Sequence, residues 1–108
     1  MPTKDPVAEF IRTSFPSVWA LELLLLLRAK NGHALSRGAM VAGLRGSELA
    51  VMRAVEALVR AGLVTAGPDG AASYAPAAAA LDELAARTAS RYAERPDAVR
   101  RLIAAAAG

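Results

Sequence analysis

A chain of 108 residues, 55% hydrophobic and 21% charged, has the size and apolar content of one domain with a core of its own. It carries no cysteine, which excludes disulfides and thiolate metal sites, and its single histidine, His33, cannot build a zinc or iron site alone. The net charge is a mild +3, but residues 28–62 hold six basic side chains (Arg28, Lys30, Arg37, Arg45, Arg53, Arg60) against Glu48 and Glu56, a local excess of +4. A balance of that kind is compatible with a nucleic-acid partner.

Residues 6–13 set Val7, Phe10 and Ile11 at i, i+3 and i+4 with Glu9 and Arg12 polar, the spacing of a short amphipathic helix. Ser14-Phe15-Pro16-Ser17 breaks it, and Pro16 is expected in the first turn of the next helix. That second helix runs to about Lys30, is apolar almost all round, and is expected to be the central core helix, with Trp19 buried. Its apolar run, 18–27, is shorter than the ~20 residues a membrane span needs. Glu22 interrupts the run and no cleavage signal follows, so it reads as a buried helix in a cytoplasmic protein, with no membrane partner. Asn31-Gly32 closes it, with Gly32 as a left-handed cap.

Ala34-Leu35 is a short extended link. Residues 36–62 then read as helix, turn, helix. Ser36 is the expected N-cap of the third segment and Ser47 that of the fourth, with Arg45-Gly46 between them and Gly62 ending the second helix of the pair. Glu48 sits in a first turn, where the helix dipole favours a carboxylate. Two short helices joined by a tight glycine-containing turn are the signature of a helix-turn-helix. Leu63 to Ala66 reads as a strand, Gly67-Pro68-Asp69-Gly70 as a turn, and Ala71 to Ala75 as the returning strand. Beyond Pro76 the helical pattern resumes, with Leu81, Leu84, Ala85, Thr88 and Tyr92 on one stripe and Arg87, Arg91 and Arg95 on another face. Pro96 opens a last helix carrying Val99, Leu102 and Ile103, and the 104–108 tail reads as a fraying end.

This order of elements, and above all Leu58-Val59-Arg60-Ala61-Gly62-Leu63-Val64, resembles the winged helix-turn-helix transcription regulators of the MarR and ArsR types. The chain is also similar to small uncharacterised bacterial winged-helix proteins, through Ser17-Val18-Trp19-Ala20-Leu21-Glu22-Leu23-Leu24 and through Tyr92, Arg95 and Pro96. The resemblance implies a mainly α fold with a small β-hairpin: a winged helix-turn-helix core over 16–75, an N-terminal helix over 6–13 and C-terminal helices over 77–107, all one domain over 1–108. It implies a small transcription regulator that binds double-stranded DNA through the helix after Ser47.

Carried onto this chain, the groove face of that helix is Ser47, Glu48, Ala50, Met52, Arg53, Glu56 and Ala57, with Val51, Val55 and Leu58 toward the core. Ser47 and Arg53 are the candidate base readers, and Lys30, Arg37 and Arg45 the candidate phosphate anchors. For the basic residues the alternative is an ordinary solvated face, and His33 reads as a loop residue without a role. The hairpin tip is acidic and lacks the basic residue such wings use. Leu49 and Met52 are either covered by another helix or form a patch for a protein partner, the alternative function. The Arg87, Arg91 and Arg95 row is either solvated, paired with acids across a dimer, or a phosphate holder. Leu81, Leu84, Val99, Leu102 and Ile103 are candidates for a homodimer interface, unless they cover the chain's own core. No catalytic constellation stands out, so no enzyme activity and no cofactor are expected.

Overall fold

Most helices here begin at a side chain that takes up free backbone amides. The computed structural model describes residues 5–107. In chain order these form α1 (Pro6–Ser14), α2 (Val18–Arg28), α3 (Arg37–Leu44), α4 (Glu48–Arg60), β1 (Val64–Ala66), β2 (Ala72–Tyr74), α5 (Ala79–Glu94) and α6 (Pro96–Ala107). The fold is mainly helical with one small antiparallel hairpin. The Asp5 carboxylate accepts from the amides of Val7 and Ala8, both at 3.1 Å, and starts α1. Ser17 accepts from Ala20, Ser36 from Ala39 and Ser47 from Ala50, starting α2, α3 and α4. Each such cap is worth about 1 kcal/mol.

Two boundaries differ from the sequence reading. Pro16 precedes the Ser17 cap rather than sitting in the first helical turn. The second helix stops at Arg28, two residues short of Lys30, and both Asn31 (φ 53°) and Gly32 (φ 87°) are left-handed. The alanine tail is helical as far as Ala107, and residue 108 lies outside the described residues.

α2 lies at the centre, with Ala20, Leu21, Leu23, Leu24 and Leu27 buried. α4 lays Val51, Ala54 and Leu58 on it, the most extensive helix–helix interface in the molecule. Val7, Phe10 and Ile11 from α1, Phe15 beyond it, and Val99 and Ile103 from α6 complete the core. Phe10 and Phe15 meet edge to face, ring centroids 5.6 Å apart. Thr88 is buried, and its hydroxyl donates to the Leu84 carbonyl at 2.8 Å.

Of the candidate dimer residues, Val99 and Ile103 are buried in the chain's own core, and Leu81, Leu84 and Leu102 pack half-buried against it. α1 lies on both α5 and α6. Trp19, expected in the core, is 39% exposed; it lies in the first turn of α2 on the side away from the buried Ala20 and Leu21.

The hairpin pairs Val64 with Tyr74, Thr65 with Ser73 and Ala66 with Ala72. Leu35, in the link before α3, extends the ladder: it exchanges both backbone hydrogen bonds with Ala72, at 2.9 and 3.0 Å. β2 is therefore flanked on both sides at Ala72. The Tyr74 hydroxyl donates to Asp82 at 2.6 Å, tying the hairpin to α5. Burial, then the Asp82 carboxylate, push this phenol up to about 12.

Arg91 of α5 donates to Asp5 at 2.7 Å, across the whole length of the chain. That bond, with the amides of Ala8 and Val7, holds the Asp5 carboxyl below its ordinary range. A lowered folded-state pKa means the contribution is present above the unfolded value of about 3.9 and is lost as pH falls through the folded one. Asp5→Ala is expected to cost about 1 kcal/mol at pH 7. The difference from the parent chain should shrink toward pH 3, read by urea unfolding at both pH values. An unchanged midpoint at pH 7 would show the cap to be idle.

No single helix among the described residues is long and apolar enough to cross a membrane.

Candidate nucleic-acid interface

The turn between α3 and α4 is built from two residues with different tasks. Arg45 takes the left-handed conformation at the end of α3 (φ 54°, ψ 35°), and its amide donates to Val41. A side chain there is strained relative to glycine. Gly46, the neighbouring glycine, has no positive φ. Its role is close approach: a Cβ at Gly46 would meet Trp19 Cζ3 at 3.1 Å. The half-exposed indole thus lies against the turn.

A charged residue at a strained turn position is a pointer to function rather than to stability. Arg45→Gly is expected to raise stability by about 0.5–1 kcal/mol, read as a higher urea midpoint. A lower midpoint would mean that the Arg45 side chain itself holds the turn.

α4 presents a face that differs from the one expected. Glu48, Leu49, Met52, Arg53, Glu56, Val59 and Arg60 are exposed. Ala57 is buried and Ala50 half-buried, so neither belongs to an open reading face; Val55, expected in the core, is only half-buried. Three of the four large apolar residues exposed among the described residues lie on α4: Leu49 at 55%, Met52 at 40% and Val59 at 44%. Cover by another helix, one of the two readings open for Leu49 and Met52, is not found.

Ser47 is exposed and its oxygen accepts from Ala50, so its hydroxyl proton remains available to an outside acceptor. Lys30, Arg45 and Arg53 are exposed, and none forms an ion pair among the described residues. Arg37 is also unpaired, but it leans onto the hairpin. A Cβ at Gly70 would fall 2.8 Å from Arg37 Nη2 and 3.1 Å from Nε. Arg37 thus lies over the hairpin turn, beside Gly70 at φ 86°, and is exposed like Arg45. Asp69, the acidic tip residue, accepts from the Ala71 amide at 3.1 Å and closes the turn.

Between α4 and the hairpin lies a cleft of about 190 Å³. Met40, Val51, Met52 and Val55 give it an apolar floor, with Arg37 and Glu56 also in its lining. The sequence gives no sign of it, since its walls come from α3, α4 and the hairpin turn together. His33 sits in the loop after α2, its Nδ1 2.9 Å from the Lys30 carbonyl. Among the described residues no three His, Asp or Glu side chains converge as a metal site would require.

Comparison with protein families, with curated proteins and with solved structures found no match for this chain.

Proposed function

We propose that this chain is a winged helix-turn-helix protein that binds duplex DNA, with α4 as the helix presented to the major groove. The fold reading is supported by the α3–turn–α4 order, by the hairpin that follows, and by Leu35, whose pairing with Ala72 makes a third short strand. The observation that carries the DNA reading is a set of exposed cations with no ion pair among the described residues, Lys30, Arg37, Arg45 and Arg53, placed after α2, at the start of α3, in the turn and on α4. Phosphate contact dominates in this reading and base discrimination is low, since Arg53 and Ser47 are the only polar readers without negative charge in the first half of α4. On this reading the protein works as a regulator in the cytoplasm of a bacterial cell.

Phosphate contacts from Lys30, Arg37 and Arg45 give a log–log salt slope of about −2.7. Affinity for a random-sequence duplex, followed by fluorescence anisotropy, should then fall roughly 40-fold between 50 and 200 mM salt. No saturable binding at 50 mM salt would end the DNA reading.

One observation favours a second reading, a protein-docking module. Leu49, Met52 and Val59 form an exposed apolar stripe at i, i+3 and i+10, beside the cleft against the hairpin. The double change Leu49→Ser/Met52→Ser separates the two. Both residues are exposed, so stability should move by no more than about 0.5 kcal/mol per site. The DNA reading expects duplex affinity to stay within about threefold. The docking reading expects loss of a protein captured by the parent chain, with duplex binding absent in both.

A further inference from the structure

A second basic surface lies between α1, α5 and α6, none of which contributes to the α4 face. These helices border an open cleft of about 960 Å³. Arginines enter it from all three: Arg12 from α1, Arg87, Arg91 and Arg95 from α5, and Arg101 from α6. Only two acids, Asp5 and Glu94, share the lining. Asp5 holds Arg91 at 2.7 Å, and Arg12 reaches back to Glu9 at 3.1 Å. Arg87, Arg95 and Arg101 have no ion pair among the described residues.

Three unpaired guanidiniums around one cleft repel one another, and a ligand carrying several negative charges relieves that repulsion. The α5 row recurs every four residues, so its members rise about 6 Å apart and span about 12 Å along the helix. A single carboxylate or phosphate occupies one fork and leaves the others bare. The guanidinium fork matches phosphate oxygens two at a time. The rest of the lining is small or apolar, with Ala8, Ala98 and Leu102 among it, which admits an uncharged body close to the backbone. The volume lies at the upper end of small-molecule sites, about 300–1,000 Å³.

We infer that the α1–α5–α6 cleft binds a small polyphosphate, its phosphates held by Arg87, Arg95 and Arg101. The shared chemistry is a chain of phosphates, which a nucleoside triphosphate and an inorganic polyphosphate both supply. The inference stands apart from DNA binding by α4, and the variants below keep the two distinguishable.

Metal-free ATP and inorganic tripolyphosphate are titrated by calorimetry into the parent chain at 150 mM salt. Saturable one-to-one binding of at least one is expected. The triple change Arg87→Ala/Arg95→Ala/Arg101→Ala should weaken it at least tenfold; all three side chains are exposed, and circular dichroism checks that the helices persist. The double change Arg45→Ala/Arg53→Ala should leave it within twofold. Tighter binding of ATP assigns the apolar lining to the nucleoside, and equal binding assigns recognition to the phosphate chain alone. Absence of saturable binding by either probe overturns the inference. So does binding that survives the triple change, or that is lost with Arg45 and Arg53 instead.

Discussion

Leu58→Ala is expected to lower the unfolding free energy by about 2–5 kcal/mol. Leu58 is fully buried on the face of α4 that meets α2. Truncation removes its apolar contacts and leaves a cavity between two helices that are tied together elsewhere and cannot close on it. Leu58 also stands where α4 ends: its carbonyl accepts from the Leu63 amide at 3.0 Å, the bond that turns the chain into β1. The effect is therefore expected to extend to the hairpin. For a domain of this size the loss corresponds to a Tm lower by at least roughly 8 °C. Thermal unfolding followed at 222 nm reads it. A loss below about 1 kcal/mol would mean that α4 packs less closely on α2 than described.

The second large effect concerns duplex binding. Arg53→Ala is expected to cost about 1–3 kcal/mol of affinity, roughly 5- to 150-fold. It is the single cation on the first half of the exposed α4 face, and the flanking Glu48 and Glu56 repel phosphates. Arg45→Ala should act differently. It weakens all sequences about equally and reduces the salt slope by about 1, because a turn residue reaches backbone and not base edges. Titrations of both variants at several salt concentrations distinguish the roles. If neither variant changes duplex affinity, α4 is not the DNA-binding helix.

Much of the architecture is legible in local chemistry. Ser17, Ser36 and Ser47 cap the helices they precede, Gly62 takes a positive φ of 76° after α4, and the hairpin turns at Gly67 to Gly70. A cap or a turn is decided within four or five residues, so the sequence displays it directly. The same holds for the central apolar helix, whose run of leucines has few exposed alternatives.

The candidate site was legible as a list of residues but not as a surface. Arg37 and Arg45 look equivalent in sequence and both are exposed, yet one lies over Gly70 and the other stands at a left-handed turn. Val59 carried no signal beyond being apolar. Its exposure follows from the angle at which α4 meets α2, and no local pattern encodes that angle. Trp19 and the candidate dimer residues could not be placed from sequence for one reason. Burial depends on what packs across from a residue: α1 lies on α5 and α6, and Trp19 lies against the turn at Gly46.

By itself the sequence determined the serine caps of α2, α3 and α4, which segment turns back as a hairpin, and that positive charge gathers over residues 28–62, because these are properties of neighbouring residues. Only the tertiary structure decided that Leu35 joins the hairpin, that Gly46 serves Trp19, and that arginines from α1, α5 and α6 line one cleft. Those are encounters between residues far apart in the chain, set by how helices pack.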